Sequence, residues 1–150
     1  MMNKVNLREL ILEILLEISK GERHLYLIIR GTLEKYQYLE KQERAFITRV
    51  CEGTLEYRLR LDYILNRYST VPTEKMKPVI RELLRSGVYQ MLYMDSVPDS
   101  AVCNEAVKLA RKKGFYNLTG FVNGVLRKVA REYGSIRFPQ KSQPVEYLSV

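Results

Sequence analysis

The chain has 150 residues, a length that suits one domain and leaves little room for two. Its 46% apolar content excludes wholesale disorder, and its net charge of +8 points to a polyanionic partner, nucleic acid or an anionic surface, without choosing between them. Two cysteines, Cys51 and Cys103, lie inside apolar helical patterns and read as buried free thiols of a reducing compartment. With His24 the only histidine and no Cys-x-x-Cys, no metal site is expected. Neither a signal peptide nor an apolar run of bilayer length is visible, so the expected location is the cytoplasm, with no membrane partner.

The first periodic segment is Val5–Ile18. Asn6 and Glu9 have the spacing of a cap with its reciprocal acid. Leu7, Leu10, Ile11, Ile14, Leu15 and Ile18 share one face, while Glu9, Glu13 and Glu17 lie on the other. Gly21 ends this helix. A second covers Leu25–Leu33, and Tyr36–Glu40 reads as a connection. The region Lys41–Tyr68 is long enough for two helices, with Phe46, Ile47, Val50, Leu55, Leu59, Tyr63 and Ile64 as its apolar positions. Gly53 either permits close packing or marks a break near Tyr57. Pro72 and Thr73 form a stop and a restart. Thr73 is expected to cap a helix running to Tyr93, with Pro78 in its first turn. Asp95–Pro98 is a turn. The next helix starts at Asp99 or Ser100 and ends at Gly114. The last spans Asn117–Tyr133, with Gly134 as terminator. Residues 135–150 carry Pro139 and Pro144, show little periodicity and read as a linker with an end that looks cut.

No stretch alternates with period two, so no sheet is expected. The phosphate cradles that follow a strand are absent with it. His24 sits in a polar turn and has no catalytic company, and the acidic residues read as solvated faces. No catalytic residue is therefore expected.

The basic residues carry more. Arg127 and Arg131 are four apart and share a helical face, with Lys128 beside them and Asn123 one turn earlier. Arg111, Lys112 and Lys113 end the preceding helix, where they either complement its dipole or add to a nucleic-acid surface. Arg58, Arg60, Arg67, Arg81 and Arg85 are expected to give further positive surface for phosphates. Most of the eleven tyrosines, at helical spacing, read as core or boundary residues rather than base-stacking platforms.

Two strings are the most specific: Asn104-Glu105-Ala106-Val107-Lys108-Leu109-Ala110 and Phe121-Val122-Asn123-Gly124-Val125-Leu126-Arg127. Asn and Gly are unfavourable inside helices, so their presence implies a packing or bonding requirement. One reading is that Gly124 lets two helices approach while Asn123 bonds across the gap.

These strings resemble the signature of the NusB-like RNA-binding fold, and the resemblance extends over roughly Val5 to Glu132. Leu83–Gln90 and Val97-Pro98 are similar to the segment that precedes that signature. Within the fold, the chain resembles the N-terminal domain of the RsmB (Sun) family, bacterial methyltransferases that make 5-methylcytosine in small-subunit ribosomal RNA. Val5–Leu10, Glu43–Phe46, Gly53–Leu55, Leu61–Leu65 and Pro144–Ser149 carry that likeness. The resemblance implies an all-α bundle of about seven helices in two packed subdomains over residues 1–134, and a linker over 135–150. It implies ribosomal RNA and a C-terminal methyltransferase domain as partners, with S-adenosylmethionine bound in that downstream domain and no cofactor in this one. The RNA-binding residues would be Arg111, Lys112, Lys113, Asn123, Arg127, Lys128 and Arg131. A free-standing antitermination factor and a docking domain without RNA contact stay open. Against the former, NusB factors carry an arginine-rich first segment, where this chain has Glu9, Glu13 and Glu17.

Overall fold

The computed structural model describes residues 5–21 and 23–133, so Gly134 and the expected linker lie outside the described residues. It contains α1 (Leu7–Ser19), α2 (Leu25–Lys35), α3 (Lys41–Glu56), α4 (Arg58–Tyr68), α5 (Pro78–Tyr93), α6 (Asp99–Lys112) and α7 (Thr119–Glu132). Single 3-10 turns sit at Thr73–Lys75 and Tyr116–Leu118, and no strand occurs among the described residues. The all-α bundle inferred from periodicity is therefore what forms.

Local chemistry sets the helix ends. Asn6 Oδ1 accepts from the Glu9 backbone N–H at 3.0 Å, which caps α1. The reciprocal half of the expected box does not form there, because the Glu9 carboxylate is engaged by α6. It forms at α3, where the Glu40 N–H donates to Glu43 Oε1 at 2.9 Å. Arg44 closes the connection after α2, donating from Nε to Leu39 O (3.1 Å) and from Nη2 to Gln37 O (2.9 Å). Gly21 and Gly114 take φ of 76° and 91° just past the ends of α1 and α6, a conformation glycine adopts without penalty.

Two expectations are corrected. Thr73 does not cap α5; its backbone N–H donates to Asn66 Oδ1 at 2.9 Å and it opens the 3-10 turn. The ring of Pro78 disfavours a helical Lys77, so α5 begins at the proline itself. On α4, Leu59 and Tyr63 face solvent at 75% and 54% exposure, and the inward face is Arg60, Leu61, Ile64 and Leu65. The face is rotated because Arg60 is drawn inward: its guanidinium lies over the Tyr57 ring at 5.6 Å, and Nη1 donates to the Tyr93 hydroxyl at 2.9 Å.

The two halves, α1–α3 and α4–α7, share one continuous core, and α5 packs against helices of both. Ten of its sixteen residues are buried. Such enclosure demands small residues where helices cross. A Cβ at Gly87 would lie 3.2 Å from a Leu126 methyl and 3.3 Å from a Val102 methyl. A Cβ at Gly53 on α3 would fall on the ring of Tyr89. That ring is held in a stack, with centroids 5.1 Å apart for Tyr89–Tyr93 and 4.7 Å for Tyr57–Tyr93.

Enclosure also demands partners for polar groups. Ser86 Oγ donates to Glu82 O (2.8 Å), Gln90 Nε2 to Ser86 O (3.0 Å), and Arg8 Nε to Gln90 Oε1 (2.9 Å). Arg85 grips Asp62 of α4 with two bonds of 2.8 and 2.7 Å and reaches buried Glu82 at 2.9 Å, with Arg81 at 3.2 Å. Arg60, Arg81 and Arg85 are thus structural groups rather than the expected positive surface, while Arg58 and Arg67 are exposed.

Gly53→Ala should cost about 1–3 kcal/mol in urea unfolding, and less in a Tyr89→Leu background, where the ring is gone. Arg85→Met should cost about 3 kcal/mol in the same assay, because Asp62 and buried Glu82 lose their shared partner.

Candidate nucleic-acid interface

Helices α6 and α7 run antiparallel, joined by the turn at Gly114. Their inward faces are apolar: Val102, Cys103, Ala106, Leu109 and Ala110 on α6, and Val122, Val125, Leu126 and Val129 on α7. The helical period then places Asn104, Lys108 and Arg111 outward on one helix, and Asn123, Arg127, Lys128 and Arg131 on the other. An open groove of about 470 Å³ lies between them, lined by Asn104, Val107, Lys108, Arg111, Thr119, Gly120 and Asn123.

Arg127 links two residues of this lining. Its Nε donates to Asn123 Oδ1 at 3.0 Å along α7, and its Nη2 to Asn104 Oδ1 at 3.4 Å across to α6. The requirement behind the two Asn-bearing strings is therefore the positioning of one guanidinium. The expected role of Gly124 is corrected: it is exposed, with open space around it. The close approach occurs instead at Gly87, and Asn104 rather than Asn123 spans the gap.

The basic residues separate into two groups. Arg111, Arg127, Lys128 and Arg131 are exposed and form no ion pair with a carboxylate among the described residues. Lys112 and Lys113 turn towards α1, pairing with Glu9 at 2.6 and 2.8 Å, and Lys113 also with Glu13 at 3.4 Å. Glu9 and Glu13, read from sequence as a solvated face, are thus the tie between the first and sixth helices. Partial burial disfavours the charged Glu9 carboxylate, but hydrogen bonds and charge from Lys112 and Lys113 outweigh it and hold the group below its ordinary range. The same Glu9 contact, with burial opposing, raises Lys113.

Thr119 and Gly120 went unremarked in sequence, and Val107 and Lys108 were noted only inside the first Asn-bearing string; the signal for those two was there in the four-residue steps from Asn104 to Lys108 and from Val107 to Arg111. Both cysteines are buried and free, and burial pushes both thiols up, with the charge of Glu52 adding to the effect at Cys51. Among the described residues no helix is long and apolar enough to cross a membrane.

Comparison with known proteins places this geometry. The NusB family profile matches residues 5–131. The chain belongs to the NusB family. It is 34% identical over 148 residues to the probable ribosomal RNA small subunit methyltransferase B of Bacillus subtilis, covering 99% of this chain and 32% of that protein. It is 30% identical over 129 residues to the transcription antitermination protein NusB of Salinispora arenicola, covering 85% of this chain and 94% of the relative. The chain thus spans about a third of the length of its methyltransferase relatives and nearly all of some NusB relatives. Among solved structures, NusB of T. maritima matches with a TM-score of 0.74 at 25% identity, covering 87% of this chain and 94% of that one. NusB in a complex of antitermination factors NusB and NusE with dsRNA matches with a TM-score of 0.76 at 19% identity, covering 85% and 95%. The NusB fold inferred from the two Asn-bearing strings is thereby established.

The Glu9 contact gives a pH dependence. A folded-state value below the ordinary carboxylate range means stability that is complete above that range and lost as the pH falls through the folded value. Thermal melts across that acid window should therefore show a smaller loss for Glu9→Gln than for the parent chain.

Proposed function

We propose that this domain binds ribosomal RNA on its α6–α7 face and holds it for a cytosine-C5 methyltransferase domain of a longer protein. In this reading S-adenosylmethionine and the reacting groups belong to that other domain, and this one contributes affinity and placement. The observation that carries the proposal is Arg127, bonded to Asn123 and Asn104 of an open groove that Arg111 also lines, with Lys128 and Arg131 exposed on the same helix. Fixed arginines beside a groove suit phosphate contacts because the guanidinium stays charged and is already oriented. The end-to-end match to one third of a ribosomal RNA methyltransferase supports the choice of RNA and of partner domain.

A second reading is a free-standing antitermination factor, favoured by NusB relatives of nearly the same extent. Against it stands the chemistry of α1. Glu9 and Glu13 there pair with Lys112 and Lys113, and this acidic first helix lacks the arginine-rich character of a NusB factor's first segment.

The test is binding to a small-subunit ribosomal RNA hairpin across a salt titration. Arg127→Ala with Arg131→Ala should weaken binding and flatten the log–log salt slope by about 0.7–0.9 per lost phosphate contact. Identical affinity and slope in the double variant would refute the site. No RNA binding at low salt, with tight association to the separate methyltransferase domain, would refute the RNA role.

A further inference from the structure

Resting on the RNA-binding reading above, we infer that the α6–α7 groove takes one unpaired nucleobase, and that its carboxamides read the base's acceptor edge. Arg127 explains why. A guanidinium has donors and no acceptor. Both carboxamides that meet it must therefore turn their oxygens towards it, as Asn123 Oδ1 does at 3.0 Å and Asn104 Oδ1 at 3.4 Å. Their NH₂ groups are left for other partners. The groove they line thus offers donors, with Arg111 adding charge and Lys108 shared with Glu105 at 3.4 Å.

The rest of the lining fits a flat, partly apolar guest. Val107 supplies an aliphatic wall of the kind a base face packs on. Gly120 contributes no side chain, and the space above it is empty within 4 Å, so a planar ring can approach the backbone of α7. A volume of about 470 Å³ accommodates a single nucleotide. Apolar wall, oriented amides and rim cations together are the elements by which proteins hold single-stranded RNA: a base face, a base edge and a phosphate. A surface serving only duplex phosphates would need the cations alone. Acceptor-rich edges match the donors: the two carbonyls of uracil, O6 and N7 of guanine, or O2 and N3 of cytosine.

The groove can be filled without touching the core. Gly120 is exposed on α7, and leucine is a better helix former there, so Gly120→Leu should leave the fold and melting temperature intact. Three probes at equal phosphate concentration separate the possibilities: an oligouridine single strand, the same strand with abasic riboses, and an RNA duplex. The parent chain should favour oligouridine over the abasic strand by about tenfold, the size expected for one seated base. Gly120→Leu should abolish that preference. Equal parent affinity for oligouridine and the abasic strand, or an undiminished preference in Gly120→Leu, would overturn the groove. Either result is separable from failure of the RNA-binding reading, because Arg127→Ala with Arg131→Ala should still lower affinity for all three probes.

Discussion

Helix α5 is enclosed by helices of both halves of the bundle, and this enclosure constrains nearly everything around it. A helix buried on most of its circumference has no solvated face on which to place polar residues. Its glutamate, serine and glutamine must each find a partner inside, and Arg85, Glu82, Ser86, Gln90 and Arg8 form the resulting connected series. Where neighbours approach most closely, glycine is required, at Gly87 within α5 and at Gly53 facing Tyr89. Arginines 60, 81 and 85 are consumed in this interior work. Arg60 and Arg85 hold α4 against α5, and Arg60 pulls α4 into a rotation that leaves Leu59 and Tyr63 outside.

The chain's positive charge is correspondingly sorted by position. A net charge of +8 says nothing about where cations are available. Three arginines are spent within the bundle, and Lys112 and Lys113 are spent on the acids of α1. Of the exposed cations of α6 and α7 that remain, Arg111 lines the groove and Arg127 bonds to two of its lining asparagines. The tie between α1 and α6 also secures the helix that forms one wall of it. Stability and candidate function are therefore coupled through Glu9: the residue that pairs with two lysines also fixes the helix carrying Asn104 and Arg111.

Helix number and limits were legible in the sequence because apolar residues recur at helical period and the glycines, prolines and Asn6 mark the ends. What remained hidden depends on partners distant in sequence. Thr73 carries a good capping side chain, yet Pro78 decides where α5 starts. Leu59 and Tyr63 fit an apolar stripe, yet Arg60 wins the interior because Tyr57 and Tyr93 give it an aromatic berth. The strings around Asn104 and Asn123 were recognisable as unusual for helices. That they meet at Arg127 could not be read from either string alone, since the bonds join residues 23 positions apart. The separation of Lys112 and Lys113 from Arg111 was hidden for the same reason: their partner on α1 is about a hundred residues away.

The most direct test of RNA binding on the α6–α7 face is an amide chemical-shift titration of the 150-residue chain with a small-subunit ribosomal RNA hairpin. Shifts confined to Asn104–Arg111 and Thr119–Arg131, shrinking as salt rises, are the expected result. Shifts centred on α2 and α3, with α6 and α7 unmoved, would contradict it.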